Sequence, residues 1–118
     1  MSVSQIKTNA IDAPFDNLFR ENENYRGEIV HFRGKIIQSQ DDSNNNYVFR
    51  LATGQSEYGG GYIDDIVWVN YKGERYIEDD VIDVWGKVVG IKKYESIFGA
   101  EVTIPEITAL HTELVEHT

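Results

Sequence analysis

Five side chains at alternate positions of two short stretches carry the strongest chemical signal in this chain. His31, Arg33 and Lys35 occupy every second position of EIVHFRGKII (28–37). Trp85 and Lys87 do the same in DVIDVWGKVV (80–89). Alternation puts them on one face of a β-strand, while Val30, Phe32, Gly34 and Ile36, and Ile82, Val84, Gly86 and Val88, take the other. If the two strands pair, the polar sets merge into one patch. Lys92, Lys93 and Tyr94 lie just beyond it, and Arg50 joins from another strand. Cations interleaved with aromatic rings suit single-stranded nucleic acid, because bases stack on rings and cations follow phosphates. The candidate ligand-binding set is therefore His31, Arg33, Lys35, Arg50, Trp85, Lys87, Lys92 and Tyr94. Asp83 shares this face and opposes a phosphate there. The competing reading packs Trp85 under the N-terminal helix and leaves the cations solvated.

Other constellations read as structure. Asp64, Asp65, Glu78, Asp79, Asp80 and Asp83 could offer oxygens to Ca²⁺ or Mg²⁺. They fall on separate turns, and pairing with Lys72 or Arg75 accounts for them better. Asp42, Asn44 and Asn46 match the first half of a calcium loop, but Tyr47 stands where glycine is needed and Thr53 where glutamate is needed. A hairpin turn fits better. The run Tyr58-Gly59-Gly60-Gly61-Tyr62 precedes a strand rather than a helix, so it lacks the geometry of a phosphate cradle. His31, His111 and His117 have no cysteine partner and no metal spacing, and no serine sits in a nucleophile elbow. No catalytic residue, metal or cofactor is expected, and a non-enzymatic protein is the reading.

Composition narrows the partners. The chain carries 11 Lys+Arg against 20 Asp+Glu, a net charge of −9. Residues 1–61 hold 8 acids and 6 bases, and residues 62–118 hold 12 acids and 5 bases. Nucleic-acid affinity comes largely from cations that displace counterions, so this balance opposes strong nonspecific binding. With no cysteine, disulfides and thiolate chemistry are excluded. No run reaches the ~20 apolar residues of a membrane span, and the N-terminus has no apolar signal core. A soluble domain is expected, either cytoplasmic or part of a secreted or anchored protein separated from its signal.

The 118 residues suffice for one self-supporting domain. Residues 1–13 read as a flexible lead-in. Pro14 opens a helix over about 15–24, with Phe15, Leu18 and Phe19 as its apolar stripe and Gly27 as its cap. Five strands follow, at about 28–39, 47–53, 62–71, 80–92 and 101–110. A polar hairpin loop spans 41–46, and residues 111–118 form a tail, either one helical turn or frayed. Pro105 suggests an edge, a bulge or a strand end. A glycine at the same inward position of the twin stretches, Gly34 and Gly86, points to tight coiling at a barrel corner. The twin stretches are not a tandem repeat, since the sequence between them does not recur. The fold class is all-β with one short helix: a five-stranded antiparallel OB-like barrel over residues 14–110. A three-plus-two sandwich or an SH3-like barrel is the alternative.

Three segments, FDNLFRENENYRGEIVHFRGKIIQ, YIDDIVWVNYKGERYIEDDVIDVWGKVVGIKKYES and EVTIPEI, resemble an OB-fold domain family of small bacterial and archaeal proteins. Many of that family look secreted or lipid-anchored, and they are similar to tRNA-anticodon-binding OB domains. The resemblance covers about residues 11–110 and implies the fold, with no defined activity or site. The function expected is a binding module for a protein or peptide. The alternative is single-stranded nucleic-acid binding through the aromatic–basic face. The net charge favours the first, and the fold the second.

Overall fold

The twin Gly-Lys stretches lie side by side. Val30 faces Gly86, Phe32 faces Val84 and Gly34 faces Ile82 across an antiparallel ladder. This is the seam that closes a barrel in the computed structural model, which describes residues 2–55, 62–95 and 98–116. The elements are α1 (Val3–Asn9), α2 (Phe15–Arg20), α3 (Asn22–Tyr25), β1 (Ile29–Ser43), β2 (Asn46–Gln55), β3 (Tyr62–Lys72), β4 (Val81–Glu95) and β5 (Glu101–Glu116). Around the barrel the order is β1-β2-β3-β5-β4. This is an OB-like arrangement.

The barrel is not antiparallel throughout. β3 and β5 run parallel, with Trp68 opposite Glu106 and Asn70 opposite Thr108. The reason is parity. Strand direction alternates at every antiparallel seam, and a closed ring of five strands cannot alternate all the way round.

The inward faces form one core. Val30, Ile36, Phe49, Leu51, Val69 and Ile107 are fully buried in it. Gly34 and Gly86 are where strands come closest. A Cβ on Gly34 would strike the carbonyl oxygen of Ala52, and one on Gly86 would lie 2.9 Å from Ile107 Cδ1 and 3.0 Å from Thr108 O. Asn44 and Asn45 adopt φ of 51° and 65°, which turns β1 into β2 without glycine. Pro105 is buried beside a shift in the β4–β5 register between Val88 and Gly90.

Three local expectations change. The lead-in contains a helix, α1, begun by a capping box in which Ser2 and Gln5 bond reciprocally. The helix expected over 15–24 breaks at Glu21 (φ −118°, ψ 37°) into α2 and α3, and only Leu18 of its stripe is fully buried, while Phe19 is 40% exposed. Asn22 explains the break. Its Nδ2 donates to Leu18 O (3.2 Å) and to Gly90 O (3.1 Å), which ties α3 to β4. Finally, the tail expected after residue 110 continues as β5 to Glu116, because β4 offers it a ladder from Trp85 back to Val81. Among the described residues, no helix is long and apolar enough to cross a membrane.

Candidate binding faces

The eight side chains expected to form one patch fall into two clusters. Lys92 lies seven positions along β4 from Trp85, about 23 Å of strand.

The first cluster lies on the outer face of β1 and β4, where the register sets Arg33 opposite Asp83 and His31 opposite Trp85. Arg33 donates from Nε to Asp83 Oδ1 (3.0 Å) and from a terminal nitrogen to Oδ2 (2.9 Å). His31 Nε2 lies 3.0 Å from the same Oδ1. Burial alone would raise the Asp83 pKa, but the hydrogen bonds and charges of Arg33 and His31 outweigh it and hold the carboxyl below its usual range. Lys35 Nζ lies 3.9 Å from Asp79. Asp83 and Asp79 thus engage β1, while Asp80 accepts from Ile77 N–H (3.0 Å).

Trp85 itself is only 9% exposed, because α1 covers it. Ile6 packs on Trp85 and Ile29, and Lys7 Nζ sits 4.8 Å from the indole centroid. Lys7 also pairs with Glu113 (2.6 Å), which accepts from His111 as well (2.9 Å). Those two donors lower the Glu113 pKa. The competing reading is therefore seen for the ring, although the covering helix is α1 and not the one after Pro14. As folded, Trp85 offers no open face to a base. Lys87 remains exposed beside it.

The second cluster gathers on the outer face of β2, β3 and the far end of β4. Arg50 faces Trp68 across the β2–β3 ladder. Its guanidinium carbon lies 4.1 Å from the Tyr94 ring centroid and 5.9 Å from that of Trp68. Lys92 Nζ lies 5.0 Å from the Trp68 centroid, and the two rings are 5.9 Å apart. Trp68 Nε1 donates to Asn70 Oδ1 (3.2 Å), and Asn70 Nδ2 donates to Glu106 Oε2 (2.7 Å). Three expected residues, Arg50, Lys92 and Tyr94, thus meet around Trp68, which the sequence reading left out. Its signal was present: Val67 and Val69 point inward, so Trp68 must point outward. Only the register with Arg50 was missing. The β4–β5 hairpin ends near Phe98, a ring 90% exposed.

The charge pattern separates the clusters. Lys7, Arg26, Arg33 and Lys35 each pair with a carboxylate. Among the described residues, Arg50 and Lys92 have aromatic neighbours and no carboxylate partner. The glycine-rich run from Tyr58 to Gly61 and His117 lie outside the described residues.

No family model matches the chain, and no curated protein matches it. Among solved structures it is similar to a putative aspartyl-tRNA synthetase from Leishmania major Friedlin, with 13% identity and a TM-score of 0.58. The match covers 98% of this chain and 25% of that one, so this chain spans about a quarter of its length. At such identity the likeness concerns the fold alone. The resemblance drawn from the sequence therefore stands at the level of an OB-like barrel.

Proposed function

We infer that this chain is a non-enzymatic OB-type binding module whose ligand face is built from Arg50, Trp68, Lys92 and Tyr94. The ligand that fits this face best is single-stranded nucleic acid. One observation carries the reading: in a chain of net charge −9, two cations stand over two aromatic rings without a carboxylate partner among the described residues. OB folds use the face of strands 2 and 3 for oligonucleotides. Arg50 and Trp68 belong to those strands. Ring contact orients the two cations while leaving their charge for a phosphate. Bases would stack on ring surface at the rim of the cluster.

The net charge sets the strength. Two cations at this face give affinity that falls with salt at a slope of about −0.7 per phosphate neutralised. Binding should thus be weak, with a modest salt slope of about −1.4 for two phosphate contacts. A second reading, docking of a protein or peptide segment, is favoured by the acidity and by the Arg, Trp and Tyr content, the residue types that dominate interface energetics. Fluorescence anisotropy with labelled single-stranded DNA and RNA at low and physiological salt tests the choice. Salt-sensitive binding lost in Arg50→Ala/Lys92→Ala supports nucleic acid. No binding at low salt rejects it and leaves the peptide reading.

A further inference from the structure

The segment Ser2–Ala13 is a strap laid across the first cluster. Helix α1 has seven residues, too few to be stable in isolation, so docking is what folds it. The strap is held by two buried side chains, Ile6 on Trp85 and, at its end, Ala13 in the barrel core, by the half-exposed Lys7–Glu113 pair, and by main-chain bonds at Ile11. Ile11 N–H donates to Ile29 O (2.9 Å), and its carbonyl accepts from His31 N–H (3.3 Å). An exposed ion pair adds little to such an attachment.

Beneath the strap lies an aromatic surface. His31 stacks on Trp85 with ring centroids 4.7 Å apart, and His111 meets the same indole at 5.4 Å. Lys87 lies two residues from Trp85 on β4, and Lys35, 3.9 Å from Asp79, lies two pairs beyond Arg33–Asp83 on the same outer face of β1. The strap fills this surface much as a ligand would. Asp12 places a carboxylate oxygen 3.5 Å from His31 Nδ1, Ile6 covers the indole, and the main chain of Ile11 follows β1.

We propose that residues 2–13 are a displaceable cover, and that the face they uncover is a second site for single-stranded nucleic acid. A base stacks on Trp85 once Ile6 leaves it. Phosphates meet Lys35, Lys87 and the His31 ring that Asp12 vacates. Arg33 stays bound to Asp83, whose Oδ1 also keeps His31 Nε2 (3.0 Å), so His31 offers a phosphate only its Nδ1 side. This site shares a ligand class with the Trp68 face and none of its residues. It does not require that face to bind.

The test uses the full chain carrying Trp68→Phe and Arg50→Ala, which leaves Trp85 the sole tryptophan and weakens the other face. Ile6→Asp sets a charge against the indole, and Ile11→Pro removes the N–H that donates to Ile29. Acrylamide quenching of Trp85 should rise several-fold in both. Affinity for a labelled oligothymidylate of about twelve nucleotides should tighten about tenfold or more, the equivalent of one stacked base. Adding Lys35→Glu/Lys87→Glu should reverse the gain. Quenching that stays low overturns the displaceable cover. Quenching that rises while affinity stays flat overturns the second site. If Ile6→Asp loses cooperative unfolding, Ile11→Pro carries the test. Unfolding of both variants shows that the strap belongs to the core and also overturns the proposal. Loss of binding at the Trp68 face in the parent chain leaves these outcomes unchanged.

Discussion

Arg33 and Asp83 meet across β1 and β4 in a forked ion pair, with both nitrogen–oxygen distances at or below 3.0 Å. Asp83 is buried and Arg33 is half exposed, so the pair lies at the edge of solvent. The folded-state pKa of Asp83 is lowered. Its contribution to stability is therefore present above the unfolded carboxylate pKa and fades as pH falls through the folded value. Asp83→Asn should lose about 1–3 kcal/mol near pH 7, the scale of hydrogen bonds to a charged group, with the exposed side of Arg33 limiting the cost. Below about pH 4 the gap between variant and parent should shrink. Urea unfolding at several pH values measures it, and a gap that widens on acidification contradicts the assignment.

The two core glycines should differ in tolerance. At Gly34 a Cβ meets a backbone carbonyl, while at Gly86 the nearest atom is the Cδ1 of Ile107, which can change rotamer. Gly34→Ala should therefore cost more than Gly86→Ala, and Gly86→Val about 1–3 kcal/mol or more by overpacking. Urea midpoints rank them, and equal midpoints for the parent and Gly34→Ala would reject the crowding.

Leu18 and Phe19 are neighbours with opposite roles. Leu18 is 0% exposed in the core, and Phe19 is 40% exposed. Leu18→Ala should cost about 2–5 kcal/mol by leaving a cavity. Phe19→Ala should cost less than about 1 kcal/mol, well below a buried phenylalanine. The reverse order in thermal or urea melts would show that α2 docks through its other face.

On the Trp68 face, Trp68→Ala should weaken oligonucleotide binding by about 1–3 kcal/mol if its ring contributes one stack. Arg50→Ala and Lys92→Ala should each lower the salt slope by about 0.7, whatever the base sequence. A Trp68→Ala variant with the parent's affinity and slope would move the ligand elsewhere.

Much of the barrel was already present in the sequence. Period-two alternation assigned the inward residues of β1 and β4, since a side chain on a strand can reach only one of two faces. The matched Gly34 and Gly86 marked the close approach. The parallel β3–β5 seam was missed: an odd number of strands cannot close without one parallel pair, but which pair it is depends on the tertiary order of the strands. Alternation also assigned the outward residues, but not their neighbours. Whether Trp85 or Trp68 meets a ligand depends on what lies over each ring. That is decided by α1 returning to β1 and β4, and by Arg50, Lys92 and Tyr94 arriving from strands far apart in sequence. Such contacts depend on register and docking between distant segments, which a local pattern does not encode. Residues 1–13 read from the sequence as a flexible lead-in, and only the folded barrel, by giving Ile6 a pocket on Trp85, made them a helical cover.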